Sequence, residues 1–450
     1  MIVEAFVGNV PENAGFGAPP GGTNTPAKVI SHMRDLEYDA VVIGAGAAGM
    51  AAALRVHAAG FRVAIVDRED HLGGILLQCI HNGFGLHWFK EELTGPEFAE
   101  RLAAQVREAG IDVYLNTTVM DLVADNGMKS LIACSAEHGV LSFAARAIVL
   151  AMGCRERNRG NIGIPGSRPA GVFTAGLAQR LINIDGYAPG KRVVIIGSGD
   201  IGLIMARRLS WVGAKVLAVI EILPHPSGLT RNIVQCLHDF DIPLYLSHIV
   251  SRIAGQDRVE AVEVTPLENG TPNPAKTFRL ECDTVLLSVG LIPENELSKK
   301  AGVQLGHDTG GPRVDAHLMT SVDGVFACGN VLHVHDLVDF VADESSRCGG
   351  NVAAYLGAGL SAGGQGRVQA GPNVKYVVPH AYVPGQDTQF SLRAMIVKKR
   401  GTLQVKRAGV VIKRKTLQHI KPAEMIYFKM KGTELGPAGP DPAPIEISVE

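Results

Sequence analysis

The sequence predicts an α/β protein with two Rossmann-like domains, the second inserted in the first, and a small C-terminal β-rich domain. A pattern of strand, glycine-rich turn, helix and strand over residues 39–67 recurs over residues 192–221, and such self-similarity indicates two copies of one supersecondary unit. Each copy is followed, about 100 residues later, by an apolar strand ending in glycine, at residues 147–153 and 284–290. The two matched signals predict two complete domains.

The order of these signals sets the domain organisation. The first domain resumes after the second and closes with the stretch 324–330 (GVFACGN) and a helix near residues 338–356. Beyond a Gly/Ala/Ser/Gln-rich linker, alternating apolar and basic residues predict strands. The predicted regions are a flexible N-terminal extension (1–37), a first domain (38–157 and 284–360), a second domain (158–283) and a basic β-rich C-terminal domain (372–450).

Composition excludes several classes of protein. The chain has 450 residues, enough for two or three domains that each bury a core. It contains no run of ~20 apolar residues, and its N-terminus lacks the pattern of a secretion signal, so we expect a cytoplasmic protein without a transmembrane segment. The seven cysteines form no CxxC pair or cluster suited to zinc or an iron–sulfur centre.

The first glycine-rich turn predicts a dinucleotide site. Gly44, Gly46 and Gly49 form a GxGxxG pattern directly after an apolar strand. The first glycine allows a tight turn, the second lets the backbone approach a pyrophosphate, and the third lets helix and strand pack closely. Asp67 closes the next strand, where an acid accepts hydrogen bonds from an adenosine ribose.

The second turn repeats this logic with Gly197, Gly199, Gly202 and Glu221. An acid at the end of the strand repels a 2′-phosphate, so NADH is favoured over NADPH at this site. Two other readings stay open, because a domain of this kind can also serve as a scaffold or bind another adenine nucleotide.

With both turns, both glycine-ended strands and GVFACGN in this order, the chain resembles the pyridine nucleotide–disulfide oxidoreductase superfamily over residues 38–360. The resemblance implies an FAD-dependent oxidoreductase that exchanges electrons with NAD(H). Asn330 stands where the superfamily has an acid that binds the ribityl chain of FAD. The implied site residues are Gly44, Gly46, Gly49, Asp67, Gly153 and Asn330 for FAD, and Gly197, Gly199, Gly202, Glu221 and Gly290 for NAD.

The redox disulfide of that superfamily is absent. The two positions that carry its cysteines in the glutathione-reductase pattern are Leu76 and His81, and the stretch 171–183, which corresponds to the thioredoxin-reductase pattern, has no cysteine. We therefore predict an enzyme that is not a disulfide reductase. Cys79 and His81 lie where the superfamily places groups against the flavin, so they are candidates for tuning its potential or moving a proton, with simple packing as the alternative.

The stretches 73–92, 171–183 and 288–297 resemble a subgroup of the superfamily. These are the flavoprotein subunits of multi-subunit dehydrogenases such as opine oxidase, hydrogen cyanide synthase and dye-linked proline dehydrogenase, together with the flavoprotein encoded beside anaerobic glycerol-3-phosphate dehydrogenase. The resemblance implies an oligomeric complex with a small iron–sulfur carrier and a second flavoprotein dehydrogenase subunit. Two alternatives remain: a stand-alone NADH:acceptor reductase of diaphorase type, and a non-catalytic electron-transfer or scaffold subunit.

Two further patterns bear on metals and partners. The run His333, His335, Asp336 and Asp339 follows Asn330 and fits a turn beside the flavin, so no metal site is predicted.

Residues 391–431 hold twelve Lys and Arg residues against one acid, in a chain whose net charge is −1. Such a segment suits an acidic protein partner, and it contains too few aromatic residues for the base stacking of a nucleic-acid surface.

Overall fold

The first domain of the computed structural model is built on a seven-stranded sheet. The structure describes residues 34–125, 127–360, 364–437 and 442–450. In the first part of the chain the elements are β1 (Arg34–Ile43), α1 (Ala47–His57), β2 (Val63–Val66), β3 (Asn82–Phe84), β4 (Leu93–Thr94), α2 (Gly95–Glu108), β5 (Asp112–Tyr114), β6 (Thr117–Asp125), β7 (Met128–Ser135) and β8 (Gly139–Leu150).

The sheet has the strand order β5-β2-β1-β8-β7-β6. Strand β1 pairs in parallel with β2 and β8, and the apolar runs of these three strands are buried, as expected for a parallel sheet covered on both faces. Residues 34–37, which we assigned to the N-terminal extension, form the start of β1, because they pair with the long strand β8. The rest of the predicted extension lies outside the described residues.

The second domain follows with its own parallel sheet in the order β10-β18-β11-β12-β13, beside a smaller antiparallel sheet of β14, β15, β16 and β17. Its elements are β9 (Cys154–Glu156), α3 (Arg159–Ile162), β10 (Val172–Thr174), α4 (Ala175–Asn183), β11 (Arg192–Ile196), α5 (Asp200–Trp211), β12 (Lys215–Glu221), α6 (Thr230–Cys236), β13 (Leu244–Leu246), β14 (His248–Ala254), β15 (Ala261–Glu268), β16 (Thr271–Pro272), β17 (Phe278–Glu281) and β18 (Thr284–Leu287).

The chain then returns to the first sheet through β19 (Leu291–Pro293), α7 (Glu296–Lys300), β20 (Val325–Ala327) and α8 (Val338–Gly357). Strand β20 pairs in parallel with β8, and β19 pairs with β9, so the two crossings between domains run side by side. The predicted glycine-ended strands stop earlier, at Leu150 and Leu287, because the glycines three residues later adopt left-handed conformations.

The regular elements of the C-terminal part, over residues 364–437 and 442–450, are all strands. Its strands are β21 (Gly366–Ala370), β22 (Val374–Val378), β23 (Ala381–Tyr382), β24 (Thr388–Ala394), β25 (Lys398–Arg407), β26 (Val410–Ile420), β27 (Met425–Met430) and β28 (Ile445–Val449). It begins before the predicted residue 372, because β21 pairs with β28. Two Rossmann-like sheets, one inserted in the other, and the C-terminal β-sheets confirm the predicted fold class.

Candidate functional site

The first glycine-rich turn joins β1 to α1 and has the geometry of an anion site. Gly44 has a φ of 110°, a conformation that glycine adopts without steric cost. Gly46 is the extended N-cap of α1, and the first turn of this helix carries no acidic residue. Because the first backbone N–H groups of a helix have no partner within the helix, this turn is suited to binding phosphate oxygens.

The three glycines of this turn meet different surroundings. A Cβ on Gly44 would overlap the carbonyl oxygen of Ala151, and a Cβ on Gly49 would overlap the carbonyl oxygen of Gly44. The packing of the protein itself therefore requires these two glycines. A Cβ on Gly46 would meet no described atom within 4 Å. The missing side chain at Gly46 thus leaves room for a ligand, and this is the fit that a pyrophosphate group needs.

Asp67 follows directly on β2, beside the first glycine-rich turn. Its carboxylate accepts the backbone N–H groups of Ala45 and Glu69, the latter at 2.8 Å. Burial raises the pKa of Asp67, against the effect of these two hydrogen bonds. The residue is only half-buried, so the carboxylate is held beside the turn while part of it stays accessible to a ribose.

Gly153 and Asn330 lie beyond the carboxyl ends of β8 and β20, at the edge of the sheet where ligands bind in open α/β folds. Gly153 has a φ of 71°. The side-chain oxygen of Asn330 accepts the backbone N–H of His335 at 3.0 Å, and its side-chain NH2 donates to the sulfur of Cys154 at 3.7 Å. These contacts fix the orientation of the Asn330 amide at the predicted ribityl position.

The second turn repeats the backbone of the first. Gly197 has a φ of 90° and Gly290 one of 101°. The backbone N–H of Gly202 donates to the hydroxyl of Ser288 at 3.0 Å, and a Cβ on Gly202 would come within 2.6 Å of the Ser288 Cβ. A Cβ on Gly199 would lie 3.3 Å from the Ser288 hydroxyl. Here too the third glycine serves packing, while the second lies at the start of the helix α5.

The acid of the second turn is held differently from that of the first. Glu221 is 3% exposed. Its carboxylate accepts the Ser198 N–H at 2.9 Å, the Ser198 hydroxyl at 2.5 Å, the Ser227 hydroxyl at 2.9 Å and the Leu223 N–H at 3.0 Å. Three of these donors share Oε2, while Oε1 accepts only the Leu223 N–H, so a ribose hydroxyl would bind at Oε1 or compete with the serine hydroxyls at Oε2. Ser198 and Ser227 are therefore part of the site, although no sequence motif points to Ser227.

Asp200 is a second residue that the sequence reasoning missed. It occupies the first turn of α5, where an acid opposes the binding of phosphate. Its carboxylate accepts the Leu229 N–H at 2.8 Å and the Asn232 side-chain amide at 2.6 Å, and burial raises the pKa of Asp200. These contacts fasten the segment after β12 onto the second glycine-rich turn.

A cavity of about 760 Å³ lies between the two domains. It extends from Asp200 at the start of α5 to His81 of the first domain and to Leu337 and Val338, where α8 begins. Arg231, which also lines it, reaches Gly83 on the opposite wall. Its volume is in the range of small-molecule sites, and its walls come from both dinucleotide-binding folds.

Cys79 and His81 lie together beside this cavity but carry no sign of activation. The Cys79 thiol donates to the Ile75 carbonyl at 3.3 Å, and burial raises the pKa of Cys79 to about 12. It is therefore a thiol, whereas nucleophilic cysteines are thiolates. His81 contacts the Asn82 carbonyl at 3.0 Å, and burial lowers the pKa of His81, which favours a neutral ring.

Two other cysteines meet in the core of the first domain. Cys328 and Cys348 are both 0% exposed. The neighbouring Cys328 and burial together raise the pKa of Cys348. They are far enough apart along the chain that no local pattern predicts this contact. Because both thiols are enclosed, a disulfide substrate has no route to them.

The polar residues that follow Asn330, from His333 to Asp339, make three separate sets of contacts. Asp339, in the first turn of α8, accepts the backbone N–H groups of Gly85, His87 and Trp88 at 2.8 to 3.1 Å. This acid therefore holds the loop after β3 against the helix that begins beside the predicted flavin site. Sequence reasoning considered Asp339 only as a metal ligand and missed this role.

Asp336 ties the turn before α8 to the C-terminal sheets. It forms an ion pair with Arg393 of β24 and accepts the backbone N–H of Met425 in β27 at 2.6 Å. The two histidines of the run are buried and turn towards Glu344 of α8.

Comparison with known proteins agrees with this geometry. A family model described as pyridine nucleotide-disulphide oxidoreductase matches residues 38–346. The chain belongs to this family. Pyridine nucleotide-disulphide oxidoreductases are FAD- and NAD(P)-dependent oxidoreductases, so this chain is a flavin-dependent oxidoreductase. Within the described ranges, every helix is too short or too polar to span a bilayer.

The chain is similar to several members of the family. It is 28% identical to hydrogen cyanide synthase subunit HcnB of Pseudomonas protegens, over 71% of this chain and 70% of the relative. It is 29% identical to an opine oxidase subunit of Agrobacterium tumefaciens, over 60% of this chain and 55% of the relative, so it spans about half of that protein. The crystal structure of T. acidophilum thioredoxin reductase matches with a TM-score of 0.59 at 25% identity, over 71% of this chain and 98% of that one.

Proposed function

We propose that this oxidoreductase moves electrons between NAD(H) and FAD, and to or from a partner redox subunit of a multi-subunit dehydrogenase. The observation that carries the proposal is that the chain has two glycine-rich turns, each between a buried parallel strand and a helix of its own Rossmann-like sheet. The absent side chain of Gly46 leaves space at the first turn. At the second turn, Gly199 is the N-cap of α5 and Asp200 is its first residue. The names of two relatives, a cyanide synthase subunit and an opine oxidase subunit, support the assembly into a complex.

The residues of this chain supply binding and orientation. Bound FAD would supply the hydride and electron chemistry. Gly44, Gly46 and Gly49 would hold its pyrophosphate, Asp67 its ribose, and Gly153 and Asn330 the region near the ribityl chain. The start of α8 points at the cavity, and the N-terminal end of a helix stabilises negative charge. Asp339 holds the loop after β3 against this helix. Hydride transfer depends on the positioning of the two rings, so no acid–base residue is required for the reaction.

We further propose that NADH is preferred over NADPH at the second site. Glu221 places a carboxylate where the 2′-phosphate of NADPH would lie, and Gly197, Gly199, Gly202 and Gly290 shape the turn around the pyrophosphate. The engagement of Glu221 by four protein donors favours one alternative, a scaffold or electron-transfer subunit whose second site is not used for hydride transfer.

The C-terminal sheets support an acidic redox partner such as a small iron–sulfur carrier. Lys398, Lys399 and Arg400 are exposed together on β25. Other cations of this segment are used internally: Lys413 pairs with Glu434, and Arg393 pairs with Asp336. The positive surface is therefore narrower than the sequence predicted, and the start of β25 is one part of it, with Arg414, Lys415, Lys429 and Lys431 also exposed. A second flavoprotein dehydrogenase subunit would complete the proposed complex.

The experiment is anaerobic stopped-flow spectroscopy of the FAD-loaded full chain with NADH or NADPH. We expect NADH to bleach the flavin absorbance rapidly, and NADPH to do so much more slowly. The matched control is Gly199→Val, which should keep FAD and lose the reduction by NADH. If neither nucleotide bleaches the wild-type flavin, the NADH site is refuted and the scaffold alternative takes its place.

A separate prediction concerns disulfide chemistry, because the family includes thioredoxin reductases. We expect Cys79→Ser to leave the rate of flavin reduction by NADH within about tenfold of the parent, since the Cys79 thiol is protonated and has no second cysteine beside it among the described residues. The parent should turn over neither glutathione disulfide nor thioredoxin.

The control for this prediction is Cys134→Ser, which changes an exposed cysteine on β7. NADH-dependent reduction of a disulfide by the parent, abolished in Cys79→Ser but not in the control, would return the chain to the thiol-based branch of its family.

A further inference from the structure

A buried cluster of two histidines and one glutamate lies where the turn after β20 meets α8. His333, His335 and Glu344 each offer a ligand atom, and these atoms lie within 4.8 Å of one another. All three side chains are at most 3% exposed. The Glu344 carboxylate is 2.7 Å from Nε2 of His333 and 3.4 Å from Nε2 of His335. Its other oxygen accepts the Gly329 N–H at 2.9 Å, which fixes the carboxylate in place.

The cluster is incomplete in its hydrogen bonding. Among the described residues, Nδ1 of His333 and both ring nitrogens of His335 have no partner. Three of the four ring nitrogens thus stand unpaired in a region that the protein encloses, where an unpaired polar atom loses its hydration without compensation. Tyr376 packs edge-on against His333, with ring centroids 5.9 Å apart.

We propose that His333, His335 and Glu344 bind a divalent transition-metal ion. Imidazole nitrogen and carboxylate oxygen are ligands of zinc and of iron(II), and a set of two histidines and one acid leaves further positions on the ion for water or another ligand. The proposal is independent of the proposed function, because the cluster does not include a residue assigned above to FAD or NAD(H).

The spacing of the cluster fits such an ion. Two ligand atoms held ~2.0–2.1 Å from a tetrahedral ion lie roughly 3.3 Å apart, close to the 3.4 Å between Glu344 and His335. The 2.7 Å between Glu344 and His333 is the length of a hydrogen bond, which the ion would replace with a slight separation of the two groups. Nε2 of His333 and Nε2 of His335 both face the same oxygen of Glu344.

Charge also favours a cation. Among the described residues, Glu344 forms no ion pair with a Lys or Arg, and its side-chain partners are the two histidines. A nearby cation, Arg393 of β24, donates to the Val334 carbonyl and is already paired with Asp336. A divalent ion would therefore neutralise a buried carboxylate that has two imidazoles and a backbone N–H as its described contacts. The sequence-based expectation of no metal considered Asp336 and Asp339, which the fold uses elsewhere, and not Glu344.

The test uses untagged, FAD-loaded full chain. The protein is incubated with Zn²⁺, passed through a desalting column and analysed by mass spectrometry of its metals; a second sample is treated anaerobically with Fe²⁺. We expect about one ion per chain. His335→Ala and Glu344→Gln should each weaken Zn²⁺ binding by more than the roughly 10- to 100-fold that loss of an outer partner costs, while His138→Ala, which removes a histidine on the surface, should keep the ion.

If a cluster variant fails to fold, as judged by its FAD content, the wild-type protein still decides the question. Replacement of the ion by Co²⁺ should give the visible absorption of a site with nitrogen and oxygen ligands. The proposal is overturned if the wild-type chain retains neither Zn²⁺ nor Fe²⁺, or if folded His335→Ala and Glu344→Gln bind Zn²⁺ as tightly as the wild type.

Discussion

Gly46→Val is expected to give a folded protein without FAD. A side chain at this position meets no described atom within 4 Å, so the fold tolerates it, but it fills the space that the pyrophosphate needs. Loss of two backbone hydrogen bonds to a charged group costs about 3 kcal/mol or more, which weakens FAD binding by roughly a hundredfold or more. The measurements are flavin absorbance after desalting and circular dichroism.

Gly49 of the same turn and Gly199 of the second turn provide the contrast. A Cβ on Gly49 would overlap the carbonyl oxygen of Gly44, so Gly49→Ala should destabilise the whole first domain. Gly199→Val, at the equivalent place in the second turn, should keep FAD. Stoichiometric FAD in purified Gly46→Val would show that the first turn is not where the cofactor binds.

Glu221→Ala is expected to weaken NADH binding by roughly 10- to 150-fold, or about 1.5–3 kcal/mol, without loss of FAD. The substitution removes the carboxylate that would bind the ribose hydroxyls. Binding is measured by titration of the oxidised enzyme with NAD⁺ and from the NADH dependence of flavin reduction. Unchanged affinity would mean that the ribose does not reach Glu221.

Because Glu221 also accepts four internal hydrogen bonds, a second pair of variants separates binding from folding. Glu221→Gln keeps one acceptor oxygen for the Ser198 donors but lacks the charge and turns a donor NH2 towards the Leu223 N–H. It should bind NADH more weakly than wild type and destabilise the domain less than Glu221→Ala does. Ser227→Ala keeps the charge and removes one competing donor. It should bind NADH at least as well as the wild-type protein, and weaker binding would show that the hydroxyl itself contacts the nucleotide.

Local patterns made both turns and the fold class predictable. A glycine triplet between an apolar strand and a helix can be recognised from residues adjacent in the sequence. An acid at the end of the next strand can be recognised in the same way. The burial of Glu221 by Ser227 could not be predicted from the local sequence. Ser227 lies in an irregular segment whose position is fixed by the hydrogen bond of Leu229 to Asp200. The same holds for Cys328 and Cys348, which meet only when β20 packs on α8.

Boundaries were harder to predict than elements for a related reason. The first strand begins at Arg34 because its partner β8 is long enough to pair with it, and β21 exists because β28, at the far end of the chain, lies beside it. Neither partner is visible in the local sequence. The histidine run shows the same limit, since Glu344 joins it only through the geometry of α8.

The contacts of Asp336 with Arg393 and Met425 affect how the protein unfolds. Through them the C-terminal sheets hold the turn that leads into α8. Helix α8 packs on α1, the helix that follows the first glycine-rich turn. Regions linked through buried ionic and main-chain bonds open together as one cooperative unit. A chain shortened after α8 would lack Arg393 and Met425, the two residues that donate to Asp336. The turn before α8 would then be less stable, and we expect the predicted flavin site of the first domain to be destabilised with it. The C-terminal sheets are therefore an integral support of the cofactor site, and cleavage within them is expected to release FAD.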